Sequence, residues 1–262
     1  MAKKFLRWLI KYVTALGGCI YLFLGGFLKP RNRDLLSEIS RHFGFPRRPV
    51  TVKTELPVCA FSELVPEPPA VRILERGYAR GNVSLLELVM INQLIAAYQP
   101  KHIFEFGTFD GRTTLNMAAN SPEGAQIETL DLPQENIGNT GFLLEEQEKV
   151  LIDKPASGTR FSGRPESGKI RQHFGDSARF DFSAYEHRAD FIFIDASHAY
   201  DYVLSDSRNA LKLMDRNGGI ILWHDYGAWN GVTRALNELR RTDSAFREIK
   251  QIEGTSLAIL VI

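Results

Sequence analysis

The sequence predicts an α/β fold: a mostly parallel sheet covered by helices on both faces and closed at the C-terminus by an antiparallel pair of strands. Two observations carry that expectation. From Val83 onward, short apolar runs alternate with segments whose apolar residues recur at helical spacing, the pattern of parallel strands linked by crossover helices. The last two apolar runs are joined only by Glu253-Gly254-Thr255, too short for a crossover, so those strands must pair antiparallel.

The elements follow in order. Leu85, Leu86, Val89, Met90, Leu94 and Ile95 mark a helix that Pro100 stops. Residues 102–106 form a short strand ending in glycine, and a helix over 111–120 follows. Then come a strand over 126–130, a helix over 142–151, strands over 170–174, 190–194 and 219–223, and helices over 200–214 and 231–241. The closing strands are 246–252 and 256–262. Ligands of such sheets sit outside the carboxyl ends of the strands, where the strand order reverses. Those ends are where chemistry is expected.

A chain of 262 residues, 44% hydrophobic and 24% charged, can build one large core and is neither fibrous nor disordered. Two cysteines, Cys19 and Cys59, exclude a disulfide framework and a cysteine-based zinc cluster, and favour a reducing compartment. The formal net charge of +1 conceals an asymmetry. Lys3, Lys4, Arg7, Lys11, Lys29, Arg31 and Arg33 face no acid before Asp34, and acids outnumber bases beyond it. An acidic body argues against a nucleic-acid partner.

Three segments are expected: a basic, hydrophobic stretch over 1–33, a proline-rich arm over 34–82 and the α/β domain over 83–262. Residues 12–28 form a run of 17 uncharged residues, at the lower bound for crossing a bilayer, with no obvious signal-cleavage site after it. The run reads as a spanning anchor, as an interfacial helix held by Trp8, Tyr12, Tyr21 and basic side chains, or as a helix packed on the soluble domain. Membrane contact through residues 5–28 is thus one of three readings. The glycine pairs at 17/18 and 25/26 weaken any continuous helix. In the arm, Pro46, Pro49, Pro57, Pro66, Pro68 and Pro69, with Pro30 before them, restrict the backbone and remove donors.

The strand ends carry the candidate residues. Glu105-Phe106-Gly107-Thr108-Phe109-Asp110-Gly111 reads as a glycine turn, Gly107 permitting the turn and Gly111 a close approach of a ligand to the next helix. Its spacing is not that of nicotinamide-binding turns, and it lacks the lysine of a phosphate-cradling loop. Asp131, about 20 residues past the turn, can accept both hydroxyls of a ribose, or can cap the next segment. Asp176 and Ser177 can meet a base edge, or do ordinary capping. Asp195 and His198 follow one strand, and His224 and Asp225 follow the next, so two acids and two imidazoles converge on one rim.

Together these residues resemble the class I S-adenosylmethionine-dependent methyltransferases, in particular the branch of sugar, glycan and small-molecule O-methyltransferases. The motifs that carry the resemblance are EFGTFDG at 105, the acid of TLDLP, GDS at 175, FIDASHAYDYVLSD at 193 and GGIILWHDY at 218. It extends over residues 83–262 and leaves the arm outside. It implies a Rossmann-like, doubly wound, seven-stranded sheet with its last strand inserted antiparallel, and S-adenosylmethionine as cofactor. Glu105, Gly107, Thr108 and Gly111 would cradle the methionine part, Asp131 the ribose, Asp176 and Ser177 the adenine, and Asp195 the region near the sulfonium. The acceptor implied is an oxygen of a sugar, glycan or related small molecule.

A sugar hydroxyl is a poor nucleophile at neutral pH and needs a base within reach or a cation that lowers its pKa. His198 and His224 are the expected bases, each beside a carboxylate, with Asp195 alongside; the bland alternatives are a surface His198 and a buried, satisfied His224. Relatives that hold a divalent metal imply Asp195, His224 and Asp225 as its ligands. His224 departs from the usual all-oxygen set and suits manganese, iron or zinc better than magnesium. Between Leu132 and Ile170 a turn-rich insertion either closes over the acceptor, with Arg160, Arg164 and Lys169 on an anionic group, or is solvated linker.

Two other functions compete: a nicotinamide-nucleotide enzyme, disfavoured by the glycine spacing, and a non-catalytic, membrane-associated interaction module, disfavoured by the full set of strand-end acids. S-adenosylmethionine is made in the cytosol, so the expected location is cytoplasmic, at the inner face of a membrane if residues 5–28 touch one. A homo-oligomer is compatible with the sequence.

Overall fold

The computed structural model describes residues 2–29, 32, 33, 35, 36, 50–77, 79, 81–152, 154 and 156–262; of 2–4, 150 and 151 it describes the backbone. Pro30, Pro46 and Pro49 lie outside the described residues, as does most of the first half of the arm. The chain divides into two compact units, residues 1–49 and 50–262.

In the first unit, helix α1 (Ala2–Leu24) runs unbroken through Gly17 and Gly18. The two glycines cost about 1 kcal/mol each, too little to interrupt 23 residues rich in good helix formers. The helix ends at the second glycine pair, where a 3₁₀ turn, Gly26–Leu28, takes over. At about 1.5 Å per residue α1 is about 34 Å long. Phe5–Leu24 is long and apolar enough to cross a membrane, and none of it is buried.

The second unit is an eight-stranded sheet in the order β1-β7-β8-β6-β5-β2-β3-β4. In chain order its elements are β1 (Val58–Cys59), α2 (Phe61–Leu64), α3 (Leu85–Tyr98), β2 (His102–Phe106), α4 (Arg112–Asn120), β3 (Gln126–Asp131) and α5 (Lys149–Ile152). Then follow β4 (Ile170–Phe174), β5 (Phe191–Ile194), α6 (Tyr200–Leu213), β6 (Ile220–Trp223), α7 (Asn230–Thr242), β7 (Lys250–Ile252) and β8 (Ala258–Val261). β2 to β6 pair in parallel. β8 inserts between β6 and β7 and is antiparallel to both, with Trp223 opposite Ala258 and Gln251 opposite the same residue.

Side chains alternate across the strands, and each face buries one set. Phe104, Phe106, Ile192, Ile194, Ile221 and Trp223 pack with Val203, Leu213, Val232 and Leu236 of α6 and α7. Ile103, Ile127, Phe191, Phe193, Ile220 and Leu222 pack on the other side with Leu88, Ile91, Leu94 and Met117 of α3 and α4. The sheet is therefore wound on both faces.

The eighth strand comes from the arm. Val58 and Cys59 pair in parallel with Gln251 and Ile252, while Leu56, Cys59 and Val65 are buried. Ahead of it, Glu55 and Leu56 donate their backbone N–H groups to the Tyr226 hydroxyl. Residues 50–82 thus belong structurally to the body, although they precede the segment whose pattern predicts it. The helix expected over 142–151 is a single turn at Lys149–Ile152. The turns ahead of it are held where Glu148 Oε1 accepts from Glu145 N at 2.9 Å.

Candidate active site

The strand order reverses between β2 and β5, and the site is built there. Gly107 has φ of 92°, and a Cβ on it would stand 2.1 Å from the Asp195 carbonyl oxygen. This glycine lets the ends of β2 and β5 touch. Gly111, with φ of 84°, caps α4, but a Cβ there would meet the Phe161 ring at 2.6 Å. The approach expected to admit a ligand at Gly111 is filled by the chain's own insertion.

That insertion is stapled to the glycine turn. Gly158 N donates to Phe109 O and Arg160 N to Asp110 O, each at 2.9 Å. Arg160 also pairs with Asp110 and Glu75, Arg164 pairs with Glu75, and Lys169 donates to the carbonyls of Ala118 and Ser121. The three cations expected on an anionic acceptor group are instead engaged in holding the insertion down.

Three carboxylates gather at the reversal. Glu105, buried at the end of β2, accepts from Thr114 Oγ1 at 2.5 Å and from Thr129 Oγ1 at 2.6 Å. Burial pushes its pKa up to about 8 against those two bonds, and the charges of Asp195 and Asp131 add to the rise. Thr108 turns its hydroxyl inward onto Thr129 at 2.7 Å, which leaves its backbone to face the turn. Asp131 ends β3, and its Oδ2 lies 2.8 Å from Lys154 Nζ. No aligned hydrogen bond reaches that buried oxygen among the described residues.

Asp176 does something different from what its position suggests. It accepts from Gly141 N at 2.5 Å, Ala178 N at 3.0 Å and the Tyr202 hydroxyl at 2.7 Å. Those bonds cap its own turn and anchor the insertion, a structural task that its position at a strand end does not announce. Ser177 lies in that same turn.

Beyond β5 and β6 the expected convergence is present. His224 Nδ1 lies 3.1 Å from Asp195 Oδ1 and 3.2 Å from Asp225 Oδ2, and its Nε2 lies 3.4 Å from Glu87 Oε2. His198 Nε2 lies 2.8 Å from Asp225 Oδ2, and its Nδ1 lies 2.9 Å from Glu148 Oε2. The result is one chain of alternating charge, Glu87, His224, Asp195 with Asp225, His198 and Glu148. Asp225 holds a left-handed φ of 67°, a strained position that aims its carboxylate between the two rings. His198 also stacks on Trp229, ring centres 3.8 Å apart and 10° from parallel.

Burial alone would lower the pKa of both imidazoles, but the carboxylates outweigh it. Hydrogen bonds to Asp225 and Glu148 raise His198 to about 9, and the charges of Asp225 and Asp195 hold His224 well above its ordinary value. Each histidine does sit beside a carboxylate, as expected from the sequence. Being flanked on both nitrogens, His198 carries its proton at neutral pH and acts as a donor to Asp225, not as a free base.

Glu87 and Glu148 escape sequence reading. Ser84-x-x-Glu87 is a capping signature, and the cap is real: Ser84 Oγ accepts from Glu87 N at 3.2 Å and Glu87 Oε2 accepts from Ser84 N at 2.9 Å. The same carboxylate reaches His224. Glu148 lies in the aperiodic insertion, where no local signal marks it.

The ligand atoms of Asp195, His224 and Asp225 lie within 4.8 Å of one another, a donor set of two carboxylates and one imidazole that fits a divalent ion. The three carboxylates at the reversal fit a cationic nucleoside: acidic groups to face a cation, and on Asp131 an acceptor that hydroxyls would share with Lys154.

Residues 104–226 match a family profile described as a methyltransferase domain. No curated protein matches the sequence. Among solved structures, the O-methyltransferase TomG from Streptomyces achromogenes, involved in tomaymycin synthesis and crystallised with SAM, is 19% identical with a TM-score of 0.50. The likeness covers 77% of this chain and 93% of that one. An O-methyltransferase from Bacillus cereus in complex with SAH is 16% identical with a TM-score of 0.48, covering 87% of this chain and 97% of that one.

Proposed function

We propose, from the premise that this chain is a class I S-adenosylmethionine-dependent methyltransferase, that it methylates an oxygen of a sugar, glycan or related small molecule. The observation that carries the reading is the meeting of Glu105, Asp131 and Asp195 at the strand reversal, beside a rim of two imidazoles. Support for the oxygen acceptor comes from that polar rim and from the resemblance in the strand-end motifs.

When bound, S-adenosylmethionine supplies an electrophilic methyl group on a cationic sulfonium. The chain's own residues do the rest. Asp131 accepts the ribose hydroxyls as a charge-assisted pair. Glu105 and the backbone of Gly107 and Thr108 hold the methionine part, and Asp195 faces the sulfonium. Methyl transfer needs alignment at near-attack distance and exclusion of water. The insertion, anchored through Asp176 and Glu148, closes one side of the site. The acceptor's proton passes to the Asp195 carboxylate, while His224, protonated beside Asp195 and Asp225, orients that carboxylate and His198, held between Glu148 and Asp225, fixes the Asp225 carboxylate. Asp195, His224 and Asp225 would hold a divalent metal, whose chemistry there is to lower the pKa of the acceptor hydroxyl.

Residues 5–28 are assigned to a membrane surface, with the catalytic unit in the cytoplasm. An exposed helix of this length, with Trp8 and Tyr12 stacked at one end, Tyr21 near the other and cations flanking both, fits a lipid interface. The test of the acceptor is transfer of labelled methyl from S-adenosylmethionine to a panel of glycosides, sugar nucleotides and phenols, with the product linkage read by NMR. An O-methyl product is expected; a product methylated only on nitrogen or carbon would contradict the reading.

A further inference from the structure

His224 is held from both sides. Its Nδ1 faces Asp195 Oδ1 and Asp225 Oδ2, and its Nε2 faces Glu87 Oε2. Glu87 is not a mobile partner. It is 6% exposed, its Oε2 accepts from Ser84 N, and its Oε1 accepts from Ser256 N at 2.9 Å and Ser256 Oγ at 2.7 Å. The N-terminus of α3 and the turn between β7 and β8 therefore clamp one carboxylate against the far nitrogen of the ring. Asp225 has its own support, since Oδ2 also meets His198 Nε2 at 2.8 Å.

This arrangement has a chemical consequence. A ligating histidine whose other nitrogen donates to a carboxylate has its tautomer and ring orientation fixed and its basicity raised. Magnesium is a hard ion that favours oxygen ligands and sheds water reluctantly, whereas an imidazole nitrogen suits manganese, cobalt, iron or zinc. A capping role alone would need Glu87 to reach only Ser84.

We infer that Glu87 is a positioning residue which, by fixing His224 from its far nitrogen, makes the Asp195–His224–Asp225 rim select a borderline transition ion over magnesium. The inference rests on the metal reading given above and deepens it.

The experiment strips the full-length protein of metal in detergent and titrates it calorimetrically with manganese, cobalt, zinc and magnesium chlorides, with cobalt also followed by visible absorption. Manganese and cobalt bind the wild type at least tenfold more tightly than magnesium. Glu87→Gln keeps the Ser84 cap, because that motif accepts Glu or Gln, but turns an amide N–H donor toward Ser256 N, so its melting temperature falls somewhat; cobalt affinity of the folded variant falls roughly 10- to 100-fold and the cobalt spectrum shifts. His224→Asp, an all-oxygen set, reverses the order in favour of magnesium. Unchanged cobalt affinity and spectrum in Glu87→Gln would overturn the inference, and so would magnesium binding to the wild type as tightly as manganese. If Glu87→Gln does not fold, Glu87→Asp, whose shorter side chain draws the carboxylate back from His224, is read in its place, with the same loss of cobalt affinity expected and unchanged affinity overturning the inference. Failure of every ion to bind wild-type protein that still binds S-adenosylmethionine would instead remove the metal reading itself.

Discussion

The ammonium of Lys154 stands 2.8 Å from Oδ2 of Asp131, the acid assigned to the cofactor's ribose. Both side chains are largely buried, and Lys154 also lies 5.6 Å from the centre of the Phe109 ring. The ribose hydroxyls must compete with this lysine. Lys154→Met should therefore tighten S-adenosylmethionine binding about threefold or more, because removing one partner of a buried pair leaves the Asp131 charge uncompensated until the ribose binds. Weaker binding in calorimetry would mean that Lys154 contacts the cofactor directly.

Glu105 gives the affinity a pH dependence. With its pKa pushed up to about 8 by burial, it is largely protonated near neutrality. A sulfonium favours the ionised form, so affinity for S-adenosylmethionine should rise between pH 6.5 and 8.5. The demethylated product lacks that charge and should show a smaller rise. Glu105→Gln should remove the difference, and equal slopes for both ligands in the wild type would show that Glu105 does not sense the sulfonium.

The His198 cage predicts the pH dependence of stability. Its folded value, about 9, lies above the ordinary value near 6.5. A raised imidazole contributes its stabilisation fully below about pH 6.5 and loses it as pH rises through about 9. The melting temperature should fall across that window, and Glu148→Gln should both lower the plateau and flatten the fall. A variant that keeps the wild-type slope would place the pH response elsewhere.

Deleting residues 1–33 should leave the catalytic unit folded, because its sheet and both cores lie within residues 50–262. The deletion should abolish sedimentation with vesicles containing anionic lipid, while circular dichroism of the body stays unchanged. Retained sedimentation would move the membrane contact to another surface.

Much of the fold is legible in the sequence because local patterning and topology agree. β2, β5 and β6 are largely apolar runs and β3 intersperses apolar with polar residues, and the five-residue connection between β7 and β8 is too short for anything but an antiparallel pair. The strand from the arm is not legible: two residues, Val58 and Cys59, carry no periodicity and are strands only because β7 offers a free edge. In the site, the residues that face the reversal come from strand ends and are found by position. Glu87 is hidden because the same carboxylate serves as a helix cap, and Glu148 because its partners are some fifty residues away. Asp176 carries a structural task that the sequence does not show, since two backbone donors and the Tyr202 hydroxyl reach this strand-end acid with no pattern to announce them.

The most direct measurement is a calorimetric titration of the wild type and Asp131→Ala with S-adenosylmethionine, its demethylated product and NAD. Micromolar binding of the first two, no binding of NAD, and a loss of about 1.5 to 3 kcal/mol in the variant are expected for a ribose held by a charged hydrogen-bond pair. NAD binding as tight as S-adenosylmethionine, or an unchanged dissociation constant in Asp131→Ala, would contradict the assignment of this rim to a sulfonium nucleoside.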